Sequence, residues 1–500
     1  MISSLPSARW RPSPVVYGLG RGWKILLVTA AALLLFTLSD LGYGIWLALA
    51  CAGATLIFAV WRWPYVGLAA LVVLDPLHQF VMLLLLHFSH STTLVKGAQL
   101  WKEAVVIALL AMVVHFAFQR RAAPRVHLLD LLVVVYLAYM GFYIIFPSVL
   151  DGITTTIKVY GFRADAFFLL PYFIGRGFPL RPGHIRKLLL LATAVTVVIG
   201  LVAIVQFAAP NRTVALFNSL GLGDYLGTQG GDGAVTSAVR RDNFGGLAIP
   251  RASSLLLSDI GLAFYTLLGV PLVAAVCLTA PTDGEEILAA PLLLASLAAT
   301  VLSITRSAII AMVPVLGAMA LRSRRILTLL GIAIPVAFAL FFVAQYLHLT
   351  PAVLAVMISP QQGSLPAHIQ AILESVSVLQ VDPFGRGLGT AGTVAQRFAL
   401  AGGLTNESRY LQVATEIGVP GALIWTFLLA VFGITAFRQY GRVEDRWVRA
   451  LCLGMGGSVI GFAIVSLVLH AWWSLTTSIE FWLLAGMVVS ARTIETEQDA

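Results

Sequence analysis

Residues 186–208 read RKLLLLATAVTVVIGLVAIVQFA, two cations followed by no further charge. A run of about 20 such residues is long enough to cross roughly 30 Å of hydrocarbon as a helix. Helix is the conformation expected there, because it satisfies its own backbone hydrogen bonds where water is absent. A membrane β-barrel would alternate apolar and polar residues in segments of about ten, and this run does not alternate.

Working outward, similar runs recur at 24–40, 43–61, 65–87, 100–118, 127–147, 161–175, 254–280, 287–303, 306–321, 326–346, 419–437, 449–469 and 474–491. Together they make about fourteen spans, or about twelve if the short run at 161–175 and the tightly joined pair 287–321 are read differently. Of the 500 residues, 59% are hydrophobic and 11% charged. Soluble domains carry roughly 25% charged residues, so a soluble fold is excluded and an all-α polytopic membrane protein is expected. Asp75-Pro76 interrupts the run at 65–87, and proline there removes a backbone donor and kinks the helix. Cys51, Cys277 and Cys452 lie in apolar runs without the spacing of a metal site and read as packing residues. Residues 1–23 are polar and basic, and the run after them reads as an uncleaved first span.

Basic residues cluster at Arg9/Arg11/Arg21/Lys24, Arg120/Arg121/Arg125, Arg176/Arg181/Arg186/Lys187, Arg322/Arg324/Arg325 and Arg438/Arg442/Arg446/Arg449. With a cytoplasmic N-terminus, the positive-inside rule places every cluster, and both termini, in the cytoplasm. The chain then divides into membrane helices over 1–208, an outer loop at 209–253, helices over 254–346, a large outer loop at 347–418, and final helices with a short tail over 419–500. The first loop is glycine-rich (Gly221, Gly223, Gly230, Gly231, Gly233, Gly245, Gly246) but lacks the spacing of a phosphate-cradling loop. In the second, Ile369, Ile372, Leu373, Val376 and Leu379 predict an amphipathic helix over 366–380.

Charges near span ends are candidates for function. On the outer side stand Lys96, Lys102, Lys158, Arg163, Arg240, Arg241, Arg251, Arg306, Arg386, Arg397 and Arg409. Arg163 and Arg251 are expected at the outer starts of spans, and Arg306 at a tight turn between two. An arginine fork suits phosphate or pyrophosphate; the bland alternative is snorkelling to lipid headgroups. The long second loop carries Asp382-Pro383-Phe384-Gly385-Arg386-Gly387-Leu388-Gly389, then Glu407-Ser408-Arg409-Tyr410-Leu411, then Glu416-Ile417-Gly418-Val419-Pro420-Gly421. Glu407 reads either as a general base or as a structural residue, one half of an ion pair with Arg409 or a helix cap.

These three segments, in this order, resemble the closing motifs of the bacterial O-antigen ligase and O-antigen polymerase family, integral-membrane glycosyltransferases of the GT-C class. Thr305-Arg306-Ser307-Ala308 and Arg251-Ala252-Ser253-Ser254 resemble two upstream family segments. The resemblance covers about 160–421. It implies a GT-C-like helical fold in the bacterial inner membrane, needing neither metal nor other cofactor. The donor it implies is a polyprenyl-pyrophosphate-linked glycan, the acceptor a glycan or lipid hydroxyl. Membrane lipids and other polysaccharide-assembly proteins are the further partners it suggests, and nucleic acid is not one. By this resemblance Glu407 and Arg306 are catalytic, and Arg163, Arg251, Arg409 and Tyr410 bind substrate. Glu407 stands where the ligases carry a histidine, which favours a polymerase-like or exopolysaccharide member. A lipid-linked glycan flippase or polysaccharide transporter is the rival reading, hinted at by Asp75-Pro76 and His78; a non-catalytic scaffold of an envelope-assembly complex is another.

Overall fold

The computed structural model describes residues 44–120, 126–228, 239–244, 247–280, 283–326 and 365–496. The expected spans at 24–40 and, beyond Ile326, at 326–346 lie outside these residues, as do Arg9, Arg11, Arg21, Lys24, Arg121, Arg125 and glycines 230, 231, 233, 245 and 246.

The apolar runs fold as helices. In chain order they are α1 (Gly44–Arg62), α2 (Pro64–Val73), α3 (His78–Ser89), α4 (Thr92–Ala98), α5 (Trp101–Arg120), α6 (Leu128–Ile145), α7 (Thr155–Asp165), α8 (Pro171–Gly177) and α9 (Pro182–Ala208). The segment expected as the first outer loop holds α10 (Pro210–Ser219), α11 (Leu222–Thr228) and an antiparallel hairpin of β1 (Val239–Phe244) and β2 (Leu247–Ala252), with Arg240 opposite Arg251. Then come α12 (Asp259–Leu278), α13 (Asp283–Leu302) and α14 (Arg306–Ser323). The second loop contains α15 (Leu365–Val381), the amphipathic helix expected from its periodicity, and α16 (Gly392–Arg397). The chain closes with α17 (Arg409–Tyr440), α18 (Arg446–Val465), α19 (Leu475–Val489) and α20 (Ala491–Thr496).

Among the described residues, eight helical stretches are long and apolar enough to cross a membrane, or nine if α2 and α3, bent by 92° at a short break, form one broken span. The chain is a multi-pass membrane protein. The expected span at 161–175 is not one continuous helix: it is divided among the end of α7, a 3-10 turn at Phe167–Leu169 and α8. Pro171 at the first position of α8 starts a helix well but cannot continue one. The runs at 287–303 and 474–491 yield apolar helices of only Ala289–Leu302 and Leu475–Val489.

Helix α12 is the most enclosed of the eight long apolar helices and packs against α9, α13, α14 and α18. Small residues permit this, as usual between membrane helices: a Cβ on Gly454 of α18 would meet the Pro271 carbonyl oxygen of α12 at 3.1 Å. At the periphery Phe88, Phe118 and Ile145 are largely exposed, the surface that lipid tails solvate.

Among the described residues, members of three basic clusters converge at one end. Arg322 at the close of α14 donates to the Phe437 carbonyl and lies over Tyr440, as does Arg449, while Arg186 lies over Trp447. The other end of α14 begins at Thr305, whose hydroxyl accepts from Arg251 beside the first turn of α12.

Candidate anion site

A cavity of about 680 Å³ opens at that second end. Four cations line it: Lys96 from α4, Lys102 from α5, Arg163 from the last turn of α7 and Arg397 from α16. No described Asp or Glu is among its lining residues. The first turns of α12 and α19 also face it, through Ser258 and Gly261 and through Ser474 and Thr476. Helix N-termini present N–H groups and a partial positive charge to anions. Ser474 makes no side-chain cap to the α19 backbone, whereas Ser258 caps α12 by accepting from Gly261 N at 3.0 Å.

Two of the cations are braced from behind. Arg163 pairs with Glu103, and Lys102 Nζ stands 3.6 Å from Asp75 Oδ1. Arg397 lies 5.3 Å over the Tyr160 ring of α7. Its position follows from the glycines of the second loop. Gly389 has φ +78°, and a Cβ on Gly161 of α7 would meet Gly389 N at 2.6 Å. The loop therefore lies with its backbone against α7, and α16 follows directly over the cavity.

The two glycine-bearing segments of the second loop lock together. Helix α17 breaks at Ile417 and Gly418, which frees carbonyls from the helical ladder. Arg386 N donates to Thr415 O at 2.8 Å, Gly387 N to Glu416 O at 2.9 Å, and Val419 N to Pro383 O at 2.9 Å. Gly385 and Gly418 both have φ +82°, in the left-handed region that glycine enters without penalty.

Beneath this latch lies a buried polar network of which only Arg409 was among the candidates named by sequence. Arg409 and Asp165 form an ion pair, both side chains at most 1% exposed. Arg409 also contacts His470 Nε2 at 3.0 Å, donates to Tyr136 Oη at 3.3 Å and lies over the Trp425 ring at 5.1 Å. Gln412 Nε2 donates to Asp165 at 3.4 Å. The expected pairing of Arg409 with Glu407 is thus corrected: as the first residue of α17, Arg409 turns into the bundle toward Asp165. Glu407, half-exposed, pairs instead with His368 of α15. Burial raises the Glu407 carboxyl above its usual range, and the His368 charge opposes that rise. Asn406, bonded to Ser375 of α15 and donating to Thr415 Oγ1 at 2.8 Å, holds the two segments side by side.

Of the residues to which the sequence resemblance gave a catalytic or binding role, only Arg163 lines the cavity, and it does so from the end of its helix rather than the start. Arg251 lies in β2, is 9% exposed, and is committed to Asp259 at 2.8 Å and the Ser303 carbonyl at 2.9 Å. Arg306 is the first residue of α14 and is not among the lining residues. Tyr410 donates to the Ala463 carbonyl at 3.1 Å and borders a separate apolar groove between α17 and α18. Lys96, Lys102 and Arg397 were visible in the sequence as cations expected on the outer side. Asp165 could have been found as an acid within an apolar run two residues after Arg163; His368 carried no such signal.

His470 gives a pH signature. Burial first, then the Arg409 charge, pushes it down to about 3, with Asp165 opposing. The unfolded chain, with a histidine near 6.5, takes up this proton before the folded one does. Stability from this group is therefore full above about pH 6.5 and falls as pH drops toward 3, by up to about 1.4 kcal/mol per pH unit. Thermal unfolding in detergent of the parent and of His470→Gln should diverge across that window, the variant losing less on acidification; parallel curves would refute the assignment.

No family model matches the chain, and no curated protein matches its sequence.

Proposed function

We propose that the chain is a membrane glycosyltransferase that transfers or polymerises a polyprenyl-pyrophosphate-linked glycan onto an acceptor hydroxyl at the outer face of the inner membrane. The observation that supports this best is the cavity lined by Lys96, Lys102, Arg163 and Arg397 with no described lining carboxylate. Such a site matches a pyrophosphate, and the gathering of Arg186, Arg322 and Arg449 at the other end of the bundle favours an outward-facing cavity with cytoplasmic termini.

In the reaction, the acceptor oxygen bonds to the anomeric carbon as the bond from that carbon to the pyrophosphate oxygen breaks. The leaving polyprenyl pyrophosphate keeps the electron pair. The four cations and the α19 N-terminus stabilise the charge that develops there. Glu407 is the proposed acceptor of the hydroxyl proton, and its raised affinity for protons suits that role. His368, in contact with it, supplies the imidazole that the ligase motif carries at the Glu407 position.

Arg163→Gln combined with Arg397→Gln should lower transfer from a purified lipid-linked glycan in vesicles by about 10²-fold or more, with expression and melting temperature retained. A folded double variant working at the parental rate would remove the cavity from the mechanism. A second reading, lipid-linked glycan flippase or transporter, draws on the 92° break between α2 and α3, since broken helices mark many transport sites. The same vesicles separate the two readings: transfer yields a new glycosidic bond and free polyprenyl pyrophosphate, whereas flipping moves an unchanged molecule between leaflets.

A further inference from the structure

Behind the cavity, Lys102 leads to acidic groups that the proposed transfer does not use. Lys102 lines the cavity, yet its side chain is only 6% exposed, and its ammonium lies 3.6 Å from Asp75 at the break between α2 and α3. Asp75 is fully buried, and neither carboxyl oxygen has a hydrogen-bond partner. Glu480 of α19 is also fully buried, again with both oxygens unbonded, and α19 packs against α2, the helix that ends just before Asp75. We propose that Asp75 and Glu480 form a proton-binding pair tied to the cavity through Lys102, so that an anion entering the cavity brings a proton into the bundle. This rests on the cavity being an anion site, under either reading above.

The neighbours of the pair have been assigned other tasks. Glu103 of α5, the other acid near Asp75, is engaged by Arg163. His78 of α3 accepts the Trp101 indole N–H on Nδ1 at 3.0 Å. Tyr265 of α12, which both acids reach, shares a hydrogen bond with Thr196 at 3.3 Å. Lys102 is the cation in contact with Asp75.

An ionised carboxylate without donors or a counter-charge is expensive to bury, and such groups take up a proton instead. With the cavity empty, Lys102 offsets the charge on Asp75. An anion drawn to the cavity competes for that ammonium and adds negative charge beside two donor-less acids. Uptake of one proton by the pair restores the balance: the proton comes from bulk water, a carboxyl O–H bond forms, and no redox partner is needed. By linkage, the anion must then bind more weakly as pH rises, approaching tenfold per pH unit for one proton.

The test uses the full chain purified in detergent and sulfate as probe, because sulfate stays dianionic near neutrality and exchanges no proton itself. Calorimetric titrations in two buffers of different ionisation heat, between about pH 6.5 and 8, should show up to one proton taken up per sulfate and affinity falling toward tenfold per pH unit. Asp75→Asn should bind sulfate at least as tightly as the parent, since Lys102 is released to the cavity, and should lose the pH slope. Glu480→Gln, an independent variant should the first fail to fold, should reduce the uptake. Sulfate binding without proton exchange, or uptake undiminished in both variants, overturns the inference while leaving the cavity reading in place. No sulfate binding at all overturns both.

Discussion

Replacing Arg409 by methionine should destabilise the protein by about 3–5 kcal/mol, the cost of breaking a buried ion pair from one side. Arg409 is fully buried, and its guanidinium serves Asp165, His470 and Tyr136 together. Without it, Asp165 keeps the 3.4 Å contacts from Gln412 and His470 Nε2 at 3.8 Å, and Glu416 stands close by as a second acid. Arg409→Lys should fall between, because an ammonium keeps the charge but cannot span three partners with a planar fork. Removing both charges, as Arg409→Met with Asp165→Leu, should recover most of the loss. Thermal unfolding of the four proteins in one detergent decides the matter. If Arg409→Met melts with the parent, the network is not what joins α7 to α17. If Arg409→Lys melts near the parent and yet loses activity, the arginine has a role in substrate handling that its burial does not reveal.

Gly418→Val should cost a comparable amount by another route. The residue has φ +82°, a conformation that a β-branched side chain enters only with strain. A Cβ there would also meet the backbone of Phe384, at 2.6 Å from its carbonyl carbon, so no side-chain rotation can relieve the contact. Gly385 presents the same problem in reverse, its added Cβ falling 2.5 Å from Gly418 N. Either substitution should open the three backbone hydrogen bonds that join 383–387 to 415–419 and let the second loop lift from α7. The expected signature is hydrogen exchange gained at Arg386, Gly387 and Val419, loss of transfer, and a lowered melting temperature. Gly433→Ala on the same helix, where a Cβ would meet only the Val459 side chain at 3.2 Å, is the control and should change little. Unchanged protection in Gly418→Val would mean that the latch does not hold the loop.

The amino-acid sequence by itself determined the helical, membrane-embedded character of this chain. Spans such as 186–208 are specified by unbroken apolar runs, which need no partner to be helical in hydrocarbon. The amphipathic α15 was legible for a similar reason: its apolar face repeats with the helical period. The glycine and proline segments of the second loop were legible as places of unusual backbone. What they do, pairing 383–387 with a break in α17, was decided by contacts between segments about 30 residues apart. The end of the run at 161–175 in short helices was likewise decided locally by Pro171 but confirmed only by packing.

The site divides along the same line. That cations stand near the span ends away from the basic clusters could be read from the sequence. Which of them meet could not, because each side chain's direction depends on helix rotation and on small residues that set the closeness of neighbours. Arg251, Arg306 and Arg409 looked equivalent to Arg163 in the sequence, yet Arg251 and Arg409 have buried acids waiting for them at Asp259 and Asp165. Arg163 also has an acid partner in Glu103 but keeps 41% of its side chain exposed, toward the cavity. Charge type was fixed by the sequence; whether a charge is consumed inside the fold or left to face a ligand was fixed by tertiary structure, because a buried charge must be paired and only the packed bundle says which partner is within reach.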